Sequence, residues 1–212
     1  GSFDPAAFEG TVTIAANDLQ RDLLLPTLLA RLRAQAPGLV LRVMPSDVPD
    51  AAMLREGRCQ LVISPRPQDA TDVVQKRLFE DHYRVFFDAG QRTAPADMAD
   101  YLASEHASVL YEPQRTLDID NWFHTQGLVR RMVVTVPGFS GLAPFLRGSR
   151  LLATVPGLLG RSVLHGLHSC ATPLPCPAMP MYMVWHLRHQ HDPVHRWLRQ
   201  ELEAVVAGVL EH

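Results

Sequence analysis

"TVTIAANDLQRDLLLPTLLARL", from Thr11 to Leu32, changes period half-way along. Thr11–Ala16 mixes small and β-branched residues as a strand does. Leu24, Leu25, Leu28, Leu29 and Leu32 then recur with the spacing of a helix's buried stripe. Between them stands a polar knuckle, Asn17-Asp18. A buried strand that stops at polar residues ahead of a helix presents backbone N–H groups, and the positive end of the helix dipole, at one point in space. In open α/β sheets such points, at the carboxyl ends of strands, are where ligands sit.

The alternation continues outward from this stretch. "LVLRVMP" (39–45) reads as a second strand after Pro37-Gly38, "DVPDAAMLREGRC" (47–59) as a short helix closed by Gly57, and "QLVISP" (60–65) as a third strand stopped by Pro65. "LFEDHYRVFFDAG" (78–90) reads as one further strand. A polar connection with a short helix near Pro95 opens a second set: strands over 107–113, 131–138, 150–157 and 179–187, and helices over 117–127, 141–149 and 158–167. The last helix begins with Asp192 as cap and Pro193 in its first turn. Val194, Trp197, Leu198, Leu202, Val205 and Val209 form its apolar stripe. Buried strands joined by helices through short loops predict an α/β fold of two βαβ-rich sets, each with a small, mostly parallel sheet.

Composition narrows the function. The chain has 212 residues, 47% apolar, enough for a sizeable core, and a net charge of −2. Lys and Arg are scattered, with no basic run beyond Arg130-Arg131, which argues against a stand-alone DNA-binding module. No apolar run nears the roughly 20 residues of a membrane helix. Three cysteines at irregular spacing, Cys59, Cys170 and Cys176, make no disulfide framework and point to a reducing compartment. Gly1-Ser2 looks like the scar of a cleaved tag and Leu210-Glu211-His212 like the stump of another, so the sequence reads as a piece of a longer protein.

Catalytic patterns fail in detail. The run from Gly138 to Gly141, "GFSG", would need glycine at Leu142 to form a nucleophile elbow, and "GRSVL" (160–164) fails in the same way at Leu164. Phosphate-loop and dinucleotide fingerprints are missing. His186, His189, His191 and His195 crowd a turn beside Asp192 without the spacing of a zinc site. The expectation is a protein that is not an enzyme and holds no metal or cofactor.

The blocks "VTIAAND…LLLPTLLARLRAQAPGLVLRVMPSD", "MLREGRCQLVISP", "LFEDHYRVFFDAG", "VPGFSGLAPFLRGSRLLATVPGLL" and "VWHLRHQHDPVHRWLR" occur in this order. Together they resemble the effector-binding domain of LysR-type transcriptional regulators, in the branch of the nodulation and aromatic-degradation regulators. The resemblance runs from Gly10 to about Val206. It implies a type 2 periplasmic-binding-protein fold: lobe I over 10–88 plus 187–210, lobe II over 89–186, two crossover strands, and a small-molecule effector in the cleft. It also implies a cytoplasmic homodimer or tetramer with no membrane contact. DNA would be touched only through a winged helix-turn-helix and linker helix that lie outside this sequence. Pairing would use helices 20–35 and 117–127, with Leu23, Thr27, Arg31 and Trp122 at the surface. A transporter's periplasmic solute receptor shares the fold and is the alternative; the wording of "LLPTLLARLRAQAPGLVLRV" matches regulators.

The candidate ligand residues stand at strand ends. They are Asn17 and Asp18, Ser46 and Asp47, and Ser64 and Arg66 in the first set, with Pro137, Gly138, Phe139, Ser140, Thr154 and Pro156 in the second. Matched to the family's segments, Asn17, Asp18, Ser46, Phe139 and Ser140 rank highest. Each has a plainer reading. Asp18 reads equally as an N-cap, Ser46 as the cap of the 47–57 helix, Phe139 as core, Arg66 as a surface cation and Trp185 as lobe packing. The effector expected at branch level is an aromatic or other small organic acid.

Overall fold

The structure is a computed structural model and describes residues 2–66, 68–112 and 114–211. Gly1 and His212, read above as vector sequence, and Pro113, read as the end of a strand, lie outside the described residues. The chain divides into two compact units: unit 1 is Gly1–Glu80 with Pro180–His212, and unit 2 is Asp81–Met179.

Unit 1 opens with β1 (Glu9–Ala16), α1 (Asp18–Gln35), β2 (Gly38–Met44), α2 (Ala51–Arg55), β3 (Leu61–Ser64) and β4 (Val73–Asp81). Unit 2 carries β5 (Tyr83–Phe87), α3 (Met98–Ala103), β6 (Glu105–Tyr111), β7 (Arg115–Thr116), α4 (Asp118–Thr125), β8 (Arg131–Val136), α5 (Ala143–Leu146), β9 (Leu152–Pro156) and β10 (His168–Ala171). The chain then returns through β11 (Met179–His186) to α6 (Pro193–Leu210).

The first sheet has the order β2-β1-β3-β11-β4, with β1 parallel to both β2 and β3 and β11 antiparallel to β3. The second runs β10-β5-β9-β6-β7, with β8 also on β6. There β6 is parallel to β8 and β9, and β5 is antiparallel to β9 and β10. Both sheets are therefore mixed rather than mostly parallel. The difference comes from β5, β7, β10 and β11, each paired antiparallel to a neighbour.

α1 forms as its leucines predict, but its buried face is Leu19, Leu23, Leu24, Leu25, Leu28 and Leu32, and Leu29 is exposed. Pro26 sits inside the helix on its exposed side, where the N–H it lacks would have bonded only one turn back. α6 forms as read. The Asp192 carboxylate accepts from Val194 N at 3.1 Å, Pro193 takes the first turn, and Trp197, Leu198, Leu202 and Val205 are buried.

Several boundaries differ from expectation. The helix read at 47–59 shrinks to α2, because Asp50, whose side chain accepts from Met53 N, is the residue that caps it. The strand read at 78–90 breaks at His82. There the buried Asp81 carboxylate accepts from His82 N at 2.7 Å and from Leu158 N, turning the chain. The 158–167 segment is a 3-10 turn over Gly157–Arg161, and 141–149 contracts to α5 behind a 3-10 turn at Phe139–Gly141. The lobe limits at 88 and 187 shift as well. β5 pairs with β9 of unit 2, and β11 pairs with β3 of unit 1, so the compact units divide at 80/81 and 179/180.

Candidate functional site

In unit 1 the parallel register aligns the carboxyl ends of three strands. Ala15 lies opposite Met44 and Ala16 opposite Ile63, so Asn17, Ser46 and Ser64 all fall at one edge of the sheet. Asn17 is the N-cap of α1, yet its side chain makes no capping bond. It reaches the next strand end instead: Asp47 N donates to Asn17 Oδ1 at 2.9 Å, and Asn17 Nδ2 donates to Asp47 O at 3.2 Å. Asp47 is held at φ 48°, a region Asp tolerates better than most residues. Asp18 is the first helical residue, and the N-cap position itself belongs to Asn17.

Ser46 is 2% exposed and its hydroxyl has no hydrogen-bond partner. It does not cap the following helix, since Asp50 does. A buried hydroxyl without a partner costs about 1–3 kcal/mol, so this one needs a reason. Ser64 is buried too, but its Oγ accepts from Arg66 N at 3.0 Å and is already engaged in the turn. Arg66 is exposed. Gln20, which sequence reasoning passed over, belongs to this edge. It is 2% exposed in the first turn of α1, and its Nε2 donates to Met181 Sδ at 3.3 Å, one residue before the Tyr182 that pairs with Ser64. Its Oε1 has no partner.

In unit 2 the parallel strands β6, β8 and β9 likewise end together, Val109 lying opposite Val136. The Gly138–Gly141 turn folds Phe139 back onto Tyr111, edge-on with ring centroids 6.1 Å apart, so Phe139 is 6% exposed rather than lining a surface. Pro137 and Ser140 are exposed and Gly138 is half-buried. Thr154 is buried with its hydroxyl bonded to Tyr101 Oη at 2.6 Å, and Pro156 is buried at the end of β9. The next residue, Gly157, has no room for a side chain: a Cβ would meet His82 O at 2.8 Å.

Behind this edge lies a buried ionic group the sequence did not disclose. Asp120 accepts from Arg130 Nη2 and from Ser108 Oγ, both at 2.5 Å, and the Arg130 guanidinium lies 4.5 Å from the Phe123 ring centroid. The only signal was Arg130-Arg131, read as a basic dipeptide. A cavity of about 430 Å³ opens elsewhere in unit 2, where β6 begins, lined by Arg92, Asp100, Ser104, Glu105 and Arg150 among others. None of the sequence's candidates lines it.

Two of the crowded histidines, His186 and His195, are bonded into the fold. The His195 ring bonds Gln60 O at 2.8 Å through Nε2 and Arg199 Nη1 at 2.7 Å through Nδ1, and His186 Nδ1 accepts from Arg188 N. Trp185 packs as expected, under the Arg199 guanidinium and bonded to Gln190. Among the described residues no group of His, Cys, Asp and Glu could hold a metal ion, and no helix is long and apolar enough to cross a membrane.

The model of the LysR substrate binding domain matches residues 5–207. The chain belongs to that family. LysR relatives include the HTH-type transcriptional activator NagR of Ralstonia sp, 29% identical over 94% of this chain and 68% of that protein. Nodulation protein D 1 of Bradyrhizobium japonicum is 28% identical over 93% of this chain and 63% of its own length. This LysR domain thus spans about two thirds of these relatives. Among solved structures, the regulatory domain of MexT, a transcriptional activator in Pseudomonas aeruginosa, superposes with a TM-score of 0.79 at 28% identity. It covers 92% of this chain and 100% of that one. The two mixed sheets are those of LysR effector-binding domains, the type 2 periplasmic-binding-protein-like fold.

Proposed function

We propose that this LysR domain senses a small organic effector through strand-end residues and passes the signal to DNA through the pairing of subunits. The observation that carries the reading is the alignment of Asn17, Ser46 and Ser64 at one sheet edge, with a buried Ser46 hydroxyl left without a partner. Phe139, Ser140, Thr154 and Pro156 stand at the corresponding ends of unit 2. The relatives named as transcriptional activators support a regulatory rather than a transport role. Such a ligand acts only through its differential affinity for alternative arrangements of the chain. Contact with DNA belongs to the part of the regulator beyond this domain, in keeping with a net charge of −2 here.

The test is thermal unfolding of the domain against a panel of aromatic and aliphatic acids with and without hydroxyl or amino groups. A compound at a hundredfold excess over its dissociation constant adds about 2.7 kcal/mol to folding and raises the midpoint. A panel that moves the midpoint nowhere contradicts an effector-sensing role.

A further inference from the structure

The effector reading leaves open which end of the ligand unit 1 receives, and two orphaned atoms answer it. Gln20 Oε1 and Ser46 Oγ are buried, lie at the same sheet edge and have no partner. The orientation of the Gln20 amide is dictated by its neighbour: the Met181 thioether can only accept, so Nε2 faces sulfur and Oε1 is the atom left over. An amide oxygen is an acceptor and nothing else. A serine hydroxyl both donates and accepts.

The charged side chains at this edge are Asp18, Arg21, Asp47 and Arg66, two acids and two bases, so net charge does not choose the end of the ligand. A carboxylate brought against Gln20 Oε1 would meet an acceptor-only oxygen. A hydroxyl or ammonium group would instead satisfy Gln20 Oε1 and share a hydrogen bond with Ser46 Oγ. Ser46 lies between exposed Pro45 and Asp47, and its hydroxyl can take any of the staggered χ1 positions.

We propose that unit 1 binds the hydrogen-bond-donating end of the effector, a hydroxyl or protonated amine, through Gln20 and Ser46. This rests on the effector-sensing reading above. Gln20 thereby becomes a specificity-determining residue, and effectors that lack a donor group bind poorly.

Two measurements on the domain test it. The first needs no ligand: removing an orphaned buried acceptor relieves its desolvation, so Gln20→Met and Ser46→Ala each raise the thermal midpoint of the free protein. A fall in both midpoints overturns the claim that these atoms are left unpaired. The second is calorimetric titration with benzoate, 4-hydroxybenzoate, benzyl alcohol and benzylamine. The donor-bearing compounds bind more tightly than benzoate, and Gln20→Met weakens them about five- to tenfold while leaving benzoate unchanged. Benzoate binding as tightly as 4-hydroxybenzoate, with Gln20→Met indifferent to both, overturns the inference and leaves the effector-sensing reading standing. Failure of all four probes to bind overturns the inference for aromatic donors; failure of the wider acid panel as well removes the reading beneath it.

Discussion

Asn17 and Asp47 exchange two hydrogen bonds across 30 residues of sequence, the side-chain amide of one clamping the backbone of the other. The clamp ties the end of β1 to the loop after β2, and it holds Ser46 next to the N-terminus of α1. A residue that would ordinarily cap its own helix has been turned to position a neighbouring strand end.

Asn17→Ala removes both bonds and releases the Asp47 backbone from φ 48°. Each such bond contributes about 0.5–1.5 kcal/mol net, so the expected loss is about 1–2 kcal/mol by denaturant unfolding. Asp47→Gly, which suits positive φ without strain, keeps the backbone half of the clamp and stays near wild type. Wild-type stability in Asn17→Ala would show that the loop is held by other means.

Asp120→Ala leaves the Arg130 guanidinium, whose side chain is 6% exposed, without its carboxylate. Breaking a buried pair from one side costs about 3–5 kcal/mol. Ser108→Ala, which removes only a hydroxyl donor to the same carboxylate, costs far less. A loss under about 1 kcal/mol for Asp120→Ala, against that buried-pair range, contradicts the burial of this pair.

Acid lability follows from two histidines. Burial pushes His106 down to about 4, with Arg130 and Arg92 adding to the effect against its bond to Tyr101 O. Burial likewise pushes His195 down to about 4, with Arg199 and His189 contributing. The unfolded chain takes up these protons near pH ~6.5 and the folded chain only near 4. Stability is therefore fully present above about pH 6.5 and falls as pH drops toward 4, by roughly 3 kcal/mol for each ring. The Asp81 carboxyl, raised by burial, works in the opposite sense. Thermal midpoints recorded from pH 7 to 4 check this, and His195→Gln, which can still donate and accept, flattens the profile. A midpoint unchanged between pH 7 and 4.5 contradicts it.

Association is the least direct consequence of the fold. Of the residues expected to pair subunits, Leu23 is buried in its own unit and Arg31 is bonded to Glu201 of α6. Thr27 of α1 is exposed, as is Leu29, which the sequence pattern places on the buried stripe, and Trp122 of α4 is half-buried against Phe123. We propose that α1 of one copy meets α4 of another. Sedimentation of the domain is expected to show a dimer, and Leu29→Glu with Trp122→Ala shifts it toward monomer. A parent chain that is monomeric at high concentration contradicts the pairing.

The order of elements was legible where one physical signal acted alone. The α1 leucines and the Asp192-Pro193 start of α6 needed only local rules. β4 was half missed because Gln75, Lys76 and Arg77 are exposed and carry no apolar period. The break at His82 depends on Asp81 meeting Leu158, a contact spanning 77 residues. The candidate site divides in the same way. Strand ends announced Asn17 and Ser46, but Gln20 in a helix's first turn looks like any solvated glutamine until Met181 covers it. Arg130 looks like a surface base until Asp120 and Phe123 close around it.

The most direct measurement is a titration of the isotopically labelled domain with the most stabilising compound of the acid panel, followed by backbone amide shifts. The account predicts that the largest changes fall at Asn17, Gln20, Ser46 and Asp47 in unit 1 and at Phe139 and Ser140 in unit 2. Ser46→Ala should weaken the compound. Changes concentrated at Arg92, Ser104 and Arg150 around the 430 Å³ cavity, with the strand ends unmoved, would contradict it.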